Sequence, residues 1–264
     1  MNGVRPQALV TGASAGLGAA FARAYAARGS DLILTARREA RLTALAHELE
    51  SRYGARSTVL PCDLGRPGAA GALFREVDAR GLTVDVLVNN AGYGVPGSYR
   101  GRPWQVHAEF QQVMIEAVAE LCYLVIPGMR ARGAGTILNV ASLAGHMPGT
   151  AGHTLYGPAK AWLIKFSECL HDELFDDGIT VCALCPGFTY TEFHDVLGVR
   201  ENMNKLPKYM WQQARPVCVA GLDGVERNKP IVVPGAFNKT AAALCRVLPY
   251  SLTSKLIPKG VMER

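Results

Sequence analysis

The sequence predicts an α/β fold: one doubly wound domain in which a seven-stranded parallel sheet carries helices on both faces. Three observations point there. Short apolar runs alternate with amphipathic stretches along the chain, which is the pattern of successive βαβ units. The runs are apolar at nearly every position, as strands covered from both sides must be. Finally, 264 residues without an internal repeat or a low-complexity linker suit a single domain, here taken as 1–264.

The elements follow in order. Gln7–Thr11 is the first strand, and after a glycine loop the helix Ala15–Arg28 runs until Arg28-Gly29 stops it. Strand Asp31–Ala36 leads to helix Arg38–Arg52, and strand Thr58–Cys62 to helix Pro67–Ala79. Val84–Asn89 precedes the long helical stretch Pro103–Arg130. Thr136–Val140 precedes Leu155–Asp176, which ends at Asp177-Gly178. Thr180–Leu184, the helix Pro216–Glu226 and Ile231–Pro234 complete the series. Right-handed crossovers then place ligands at the carboxyl ends of the strands.

Composition narrows the class. With 49% apolar and 19% charged residues the chain reads as an ordinary globular protein, not a disordered one. No run of about 18 uncharged apolar residues occurs, so no transmembrane segment is expected. The opening MNGVRPQALVTG has too short an apolar stretch for a signal peptide, and the expected location is cytoplasmic. Seven cysteines, several of them inside apolar runs, look like reduced, buried thiols. Cys182 and Cys185 would leave opposite faces of a strand and lack a second ligand pair, so no metal is expected.

The net charge of +6 is uneven. From Val196 onward there are 11 basic and 4 acidic residues, whereas the first 195 residues are nearly neutral. A solvated basic surface accounts for this, with anionic lipid or nucleic acid as rival partners. No aromatic-interleaved basic stripe occurs, so nucleic acid is not the expected partner.

The chemistry starts at Thr11-Gly12-Ala13-Ser14-Ala15-Gly16-Leu17-Gly18, between the first strand and the first helix. Gly12 permits a tight turn, Gly16 lets the backbone approach a pyrophosphate, and Gly18 lets the helix pack close to the sheet. N–H groups at the helix start bind phosphate. This is a Rossmann-type dinucleotide site. At the end of the second strand an NAD site usually carries a carboxylate, but this chain has Arg37-Arg38. Arginine there pairs with a ribose 2′-phosphate, so the expected cofactor is NADP(H).

Further motifs fix the family. The T-G-x-x-x-G-x-G loop at 11–18, Asp63-Leu64, N-N-A-G at 89–92, Ser142, Y-x-x-x-K at 156–160 and Pro186-Gly187 occur in order. With these the chain resembles the short-chain dehydrogenase/reductase family over nearly its whole length. The resemblance implies an oxidoreductase with Ser142, Tyr156 and Lys160 as its catalytic set. Ser142 would hold the substrate oxygen, Tyr156 would exchange a proton with it, and Lys160 would grip the nicotinamide ribose. It also implies that Asp63, with Leu64, meets the adenine. Asn89, Ala91 and Gly92 would line the cofactor, Thr189 would sit near the carboxamide, and Thr191 near the phosphates. Pro186 and Gly187 complete that cofactor set. Physically, Tyr156 and Lys160 are one helical turn apart on one face, and a fixed ammonium favours the tyrosine anion. The expected activity is reduction of a ketone or aldehyde to an alcohol, or the reverse.

One departure stands out. Family members commonly carry an asparagine in the helix before Ser142, where it holds a water in a proton relay behind the lysine. Here that position is Met114, and no asparagine lies between Trp104 and Arg132. A thioether cannot hold water as an amide does. This leaves a second reading, a catalytically impaired dinucleotide-binding sensor or scaffold.

Substrate recognition is expected from Tyr93–Tyr99, His146–His153 and a lid at 191–215 containing Phe193, His194, Tyr209, Met210 and Trp211, over a largely apolar pocket. His146 and His153 read as wall residues. The extension 237–264 has Pro249 and Pro258 to break it, and packs onto its own domain or a sister subunit. A homodimer or homotetramer through the helices at 103–130 and 155–176 follows from the resemblance.

Overall fold

The computed structural model describes residues 5–193 and 207–254. Among these, seven strands form one parallel sheet: β1 (Gln7–Thr11), β2 (Asp31–Thr35), β3 (Ser57–Val59), β4 (Val86–Asn89), β5 (Gly135–Val140), β6 (Ile179–Leu184) and β9 (Ile231–Val232). Their order is β3-β2-β1-β4-β5-β6-β9, every pair parallel. The chain reverses its direction of travel across the sheet between β1 and β4, and a cleft opens above their carboxyl ends.

Strand periodicity divides the core in two. Leu9 and Ile33 face one side with Phe110, Leu121, Met129 and Leu163. Ala8, Val10, Leu32 and Leu34 face the other with Phe21, Leu42, Leu49 and Val217. The first layer holds α3 (Ala69–Ala79), α4 (Trp104–Gln111), α5 (Ala117–Arg132) and α6 (Tyr156–Glu173). The second holds α1 (Gly16–Ala27), α2 (Glu39–Tyr53) and α7 (Ala214–Glu226). Cys182 and Cys185 fall in opposite layers, as two strand residues three apart must. All seven thiols are unpaired, and no metal-binding cluster occurs among the described residues.

The expected elements are present with shifted ends. The third strand stops at Val59, two residues before Pro61, which lacks the N–H needed to continue a ladder. Both helix stops turn through left-handed glycines, Gly29 at φ +87° and Gly178 at φ +70°. The long helix contains a π-turn, Gln112–Glu116, between α4 and α5. By length and mean hydropathy the stretch 104–132 could cross a membrane. Its Phe110, Met114, Leu121 and Met129 are instead buried in the core of the first layer.

Two features were not expected. Phe188–Tyr190 (β7) and Trp211–Gln213 (β8) form a separate parallel pair, so the far end of the lid segment 191–215 is pinned by a strand pairing. Trp211 stacks on Tyr190 at 4.8 Å between ring centroids. The extension forms α8 (Ala236–Val247) and the short α9 (Tyr250–Thr253). Residues 194–206 of the expected lid and 255–264 of the extension lie outside the described residues.

Candidate active site

One large cavity of about 1900 Å³ runs over the carboxyl ends of the strands, from the glycine loop to α8. At one end, Gly12, Ser14, Gly16 and Leu17 line it. Gly12 and Gly16 adopt φ +66° and +55°, and any Cβ on Gly12 would lie 2.9 Å from the Ala91 backbone. Gly18 does not line the cavity; a Cβ there would fall 2.3 Å from the Gly12 carbonyl oxygen, so its part is close packing of loop and helix. The N-cap of α1 is Ala15, and no side chain caps the helix, which leaves its first-turn N–H donors to a ligand.

The loop is braced from β4. Thr11 Oγ1 accepts the N–H groups of Asn90 and Ala91, each at 2.9 Å, and Asn90 Nδ2 donates to the Thr11 carbonyl at 2.9 Å. Ala91 and Gly92 line the cavity, as do Asp63 and Leu64. Asn89 is a correction. Its side chain turns into the core, donating to Asn139 Oδ1 at 2.9 Å, and it does not line the cavity. Adjacent strand residues face opposite sides, so Asn90 takes the cavity side and Asn89 supports from beneath.

Arg37 lines the cavity beside the end of β2, but the polar contacts at that corner belong to its neighbour. Arg38 donates through Nε and Nη2 to Ser14 Oγ at 3.2 and 3.1 Å, and through Nη1 to Glu192 at 3.0 Å. Sequence reasoning had no signal for Glu192.

The three residues expected to be catalytic, Ser142, Tyr156 and Lys160, all line this cavity. Ser142 follows β5, and its Oγ accepts the Ala144 N–H at 3.1 Å. Tyr156 opens α6, and Lys160 lies one turn on, its Nζ 5.8 Å from the Tyr156 ring centre. Lys160 is buried and donates to the Val140 carbonyl at 2.7 Å. Burial pushes the Tyr156 hydroxyl up to about 12, with a hydrogen bond from Ser142 pulling the other way. Burial also pulls Lys160 down to about 8. Among the protein's own groups, desolvation thus outweighs the Ser142 hydrogen bond and keeps the phenol protonated, opposite to the direction expected from a fixed ammonium.

His153 lies parallel to Tyr156, with ring centres 4.8 Å apart, and Phe193 flanks the same ring at 5.8 Å. Burial lowers His153 to about 4, so it stays neutral, and it lowers His146 as well. Met114, in the π-turn, lines the cavity and packs on Gly92, where a Cβ would meet its sulfur at 3.0 Å. Pro186, Gly187, Thr189 and Thr191 also line the cavity. A Cβ on Gly187 would strike the Asn238 amide at 2.6 Å, which is how α8 docks so near. The far end is walled by Met147, Met210, Phe237, Leu244, Cys245 and Tyr250. The last four come from α8 and α9 of the C-terminal extension.

A nicotinamide dinucleotide fits these residues: a glycine cradle that a Cβ would fill, uncapped helix donors, and two arginines at the ribose end. The comparisons with known proteins agree with the fold. A family model described as short chain dehydrogenase matches residues 6–201, and the chain belongs to that family. It is an oxidoreductase family member with ketoacyl reductases among its relatives. The chain is 31% identical to a very-long-chain 3-oxoacyl-CoA reductase of Anas platyrhynchos, over 97% of this chain and 80% of the other. It is 32% identical to the ketoacyl reductase HetN of a Nostoc species, over 68% of this chain but only 62% of that one. A short-chain dehydrogenase from Sphingobium yanoikuyae, solved in complex with NADPH, superposes with a TM-score of 0.80. It is 30% identical, and the match covers 93% of this chain and 97% of that one.

Proposed function

We propose that the protein is an NADP(H)-dependent carbonyl reductase, which run in reverse is an alcohol dehydrogenase. The observation that carries the reading is the meeting of Ser142, Tyr156 and Lys160 in the middle of a cavity whose ends are a phosphate cradle and an apolar chamber. When bound, NADPH supplies the hydride. The chain's own residues do the rest. The glycine loop and the α1 donors hold the phosphates, and Arg37 and Arg38 take the ribose 2′-phosphate. Lys160 holds the nicotinamide ribose.

Tyr156 is the general acid. Its burial keeps the hydroxyl protonated at neutral pH, so it can hand a proton to the oxygen of a carbonyl that Ser142 aligns. His153 stays neutral at its back and shields the ring from water. Met114 supports the impaired-sensor reading only if a water behind Lys160 is required. The Val140 carbonyl already accepts from the ammonium, which favours a working enzyme.

The wall of Met147, Met210, Phe237, Leu244 and Tyr250 supports a ketone or aldehyde with a large apolar substituent. The 3-oxoacyl and ketoacyl substrates named for two relatives belong to that class. Exposed Trp104, Tyr123 and Phe175, on or beside the long helices, support a homodimer or homotetramer. Seven unpaired thiols support a cytoplasmic setting. The test is turnover of aldehydes and ketones of graded size with NADPH and with NADH. Oxidation of NADPH by bulky apolar ketones bears out the reading, and tight NADPH binding with no turnover of any carbonyl favours the sensor.

A further inference from the structure

We infer that Glu192 is a specificity-determining residue: its carboxylate occupies Arg38, one of the two guanidiniums assigned above to a ribose 2′-phosphate, together with the neighbouring Arg41, and it competes with that phosphate for them. The inference rests on the NADP(H) reading above and deepens it. Glu192 Oε2 lies 3.0 Å from Arg38 Nη1, and its Oε1 lies 2.5 Å from Arg41 Nη1. Arg41 follows Arg38 by three residues at the start of α2, so both cations rise from one turn. A carboxylate shared between two guanidiniums matches two phosphoryl oxygens in charge sign and in hydrogen-bond direction.

Position makes the contact specific to the cofactor corner. Arg38 is fixed by its two hydrogen bonds to Ser14 in the glycine loop. Thr191, one residue before Glu192, packs on that loop, with its Cβ 3.2 Å from where a Gly16 Cβ would lie. The chain thus delivers Glu192 to the corner where β2 ends, 154 residues from Arg38 in sequence. Ser14, Arg37, Arg38 and Glu192 all line the cavity. All three members of the Glu192 triad are 43–50% exposed, so the ion pairs are weak enough for a phosphate dianion to displace. A cofactor bearing only a 2′-hydroxyl gains nothing from that displacement, so Glu192 taxes the phosphorylated cofactor selectively.

The experiment is calorimetric titration of the wild-type protein and of Glu192→Gln with adenosine 2′,5′-bisphosphate, AMP, NADPH and NADH. The substitution is expected to tighten binding of the bisphosphate and NADPH about three- to tenfold and to leave AMP and NADH unchanged. The gain should vanish when Arg38 and Arg41 are both replaced by Met. Unchanged or weaker binding of the bisphosphate by Glu192→Gln overturns the inference, as does a gain that survives loss of both arginines. A wild type that prefers NADH defeats the NADP(H) reading instead, and the bisphosphate-against-AMP comparison then still decides the role of Glu192.

Discussion

Lys160 Nζ donates to the Val140 carbonyl oxygen at 2.7 Å, tying the first turn of α6 to the end of β5. This bond holds a buried ammonium near the Tyr156 ring and places α6 against the strand that leads into Ser142. The same burial lowers the Lys160 pKa from its ordinary 10.5 to about 8. The unfolded chain therefore keeps a proton on this lysine between about pH 8 and 10.5 that the folded protein releases. Stability should rise with pH through that window, and below it the buried charge costs about 3 kcal/mol. Urea unfolding of wild type against Lys160→Met should show the wild type gaining on the variant from pH 7.5 to 10, roughly as this linkage requires. A pH-independent difference would contradict it.

Tyr156→Phe removes the proton donor and keeps the ring that His153 and Phe193 contact. Turnover should fall by about a hundred- to ten-thousandfold with NADPH affinity unchanged. Steady-state kinetics beside fluorescence titration of NADPH separates the two effects.

Gly18→Ala brings a methyl within 2.3 Å of the Gly12 carbonyl. The loop must shift, so folding stability should fall by about 1–3 kcal/mol. Dinucleotide binding should weaken at least about tenfold as the cradle moves. Thermal unfolding and NADPH titration on one sample check both.

Met114→Asn tests the departure at the π-turn. The methionine is buried against Gly92, and an amide there must find polar partners in an apolar wall. A loss of about 1–3 kcal/mol without a rise in turnover is expected. A variant that turns over ketone markedly faster would show that the asparagine relay matters in this chain.

Much of this was legible in the sequence, for identifiable reasons. Strands covered on both faces are apolar at nearly every position, so six of the seven sheet strands were readable to within about two residues; β3 ended early at Val59, ahead of Pro61. Tyr156 and Lys160 were readable because helical spacing puts them on one face. Four things were not. The N-N-A-G motif cannot say which asparagine looks outward, and strand alternation sent Asn89 into the core and Asn90 to the loop. The π-turn that carries Met114 has no sequence mark. The Glu192–Arg38 contact and the apolar wall from α8 and α9 join segments far apart in sequence, and only the tertiary fold brings them together.

The most direct test of the central claim follows the fate of a label. Reduction of a bulky apolar ketone would be run with NADPH deuterated at the transferring carbon, and the product examined by mass spectrometry and NMR. The account predicts one deuterium on the carbinol carbon for wild type and nearly no product from Tyr156→Phe. Product lacking that deuterium, or full turnover by Tyr156→Phe, would contradict it.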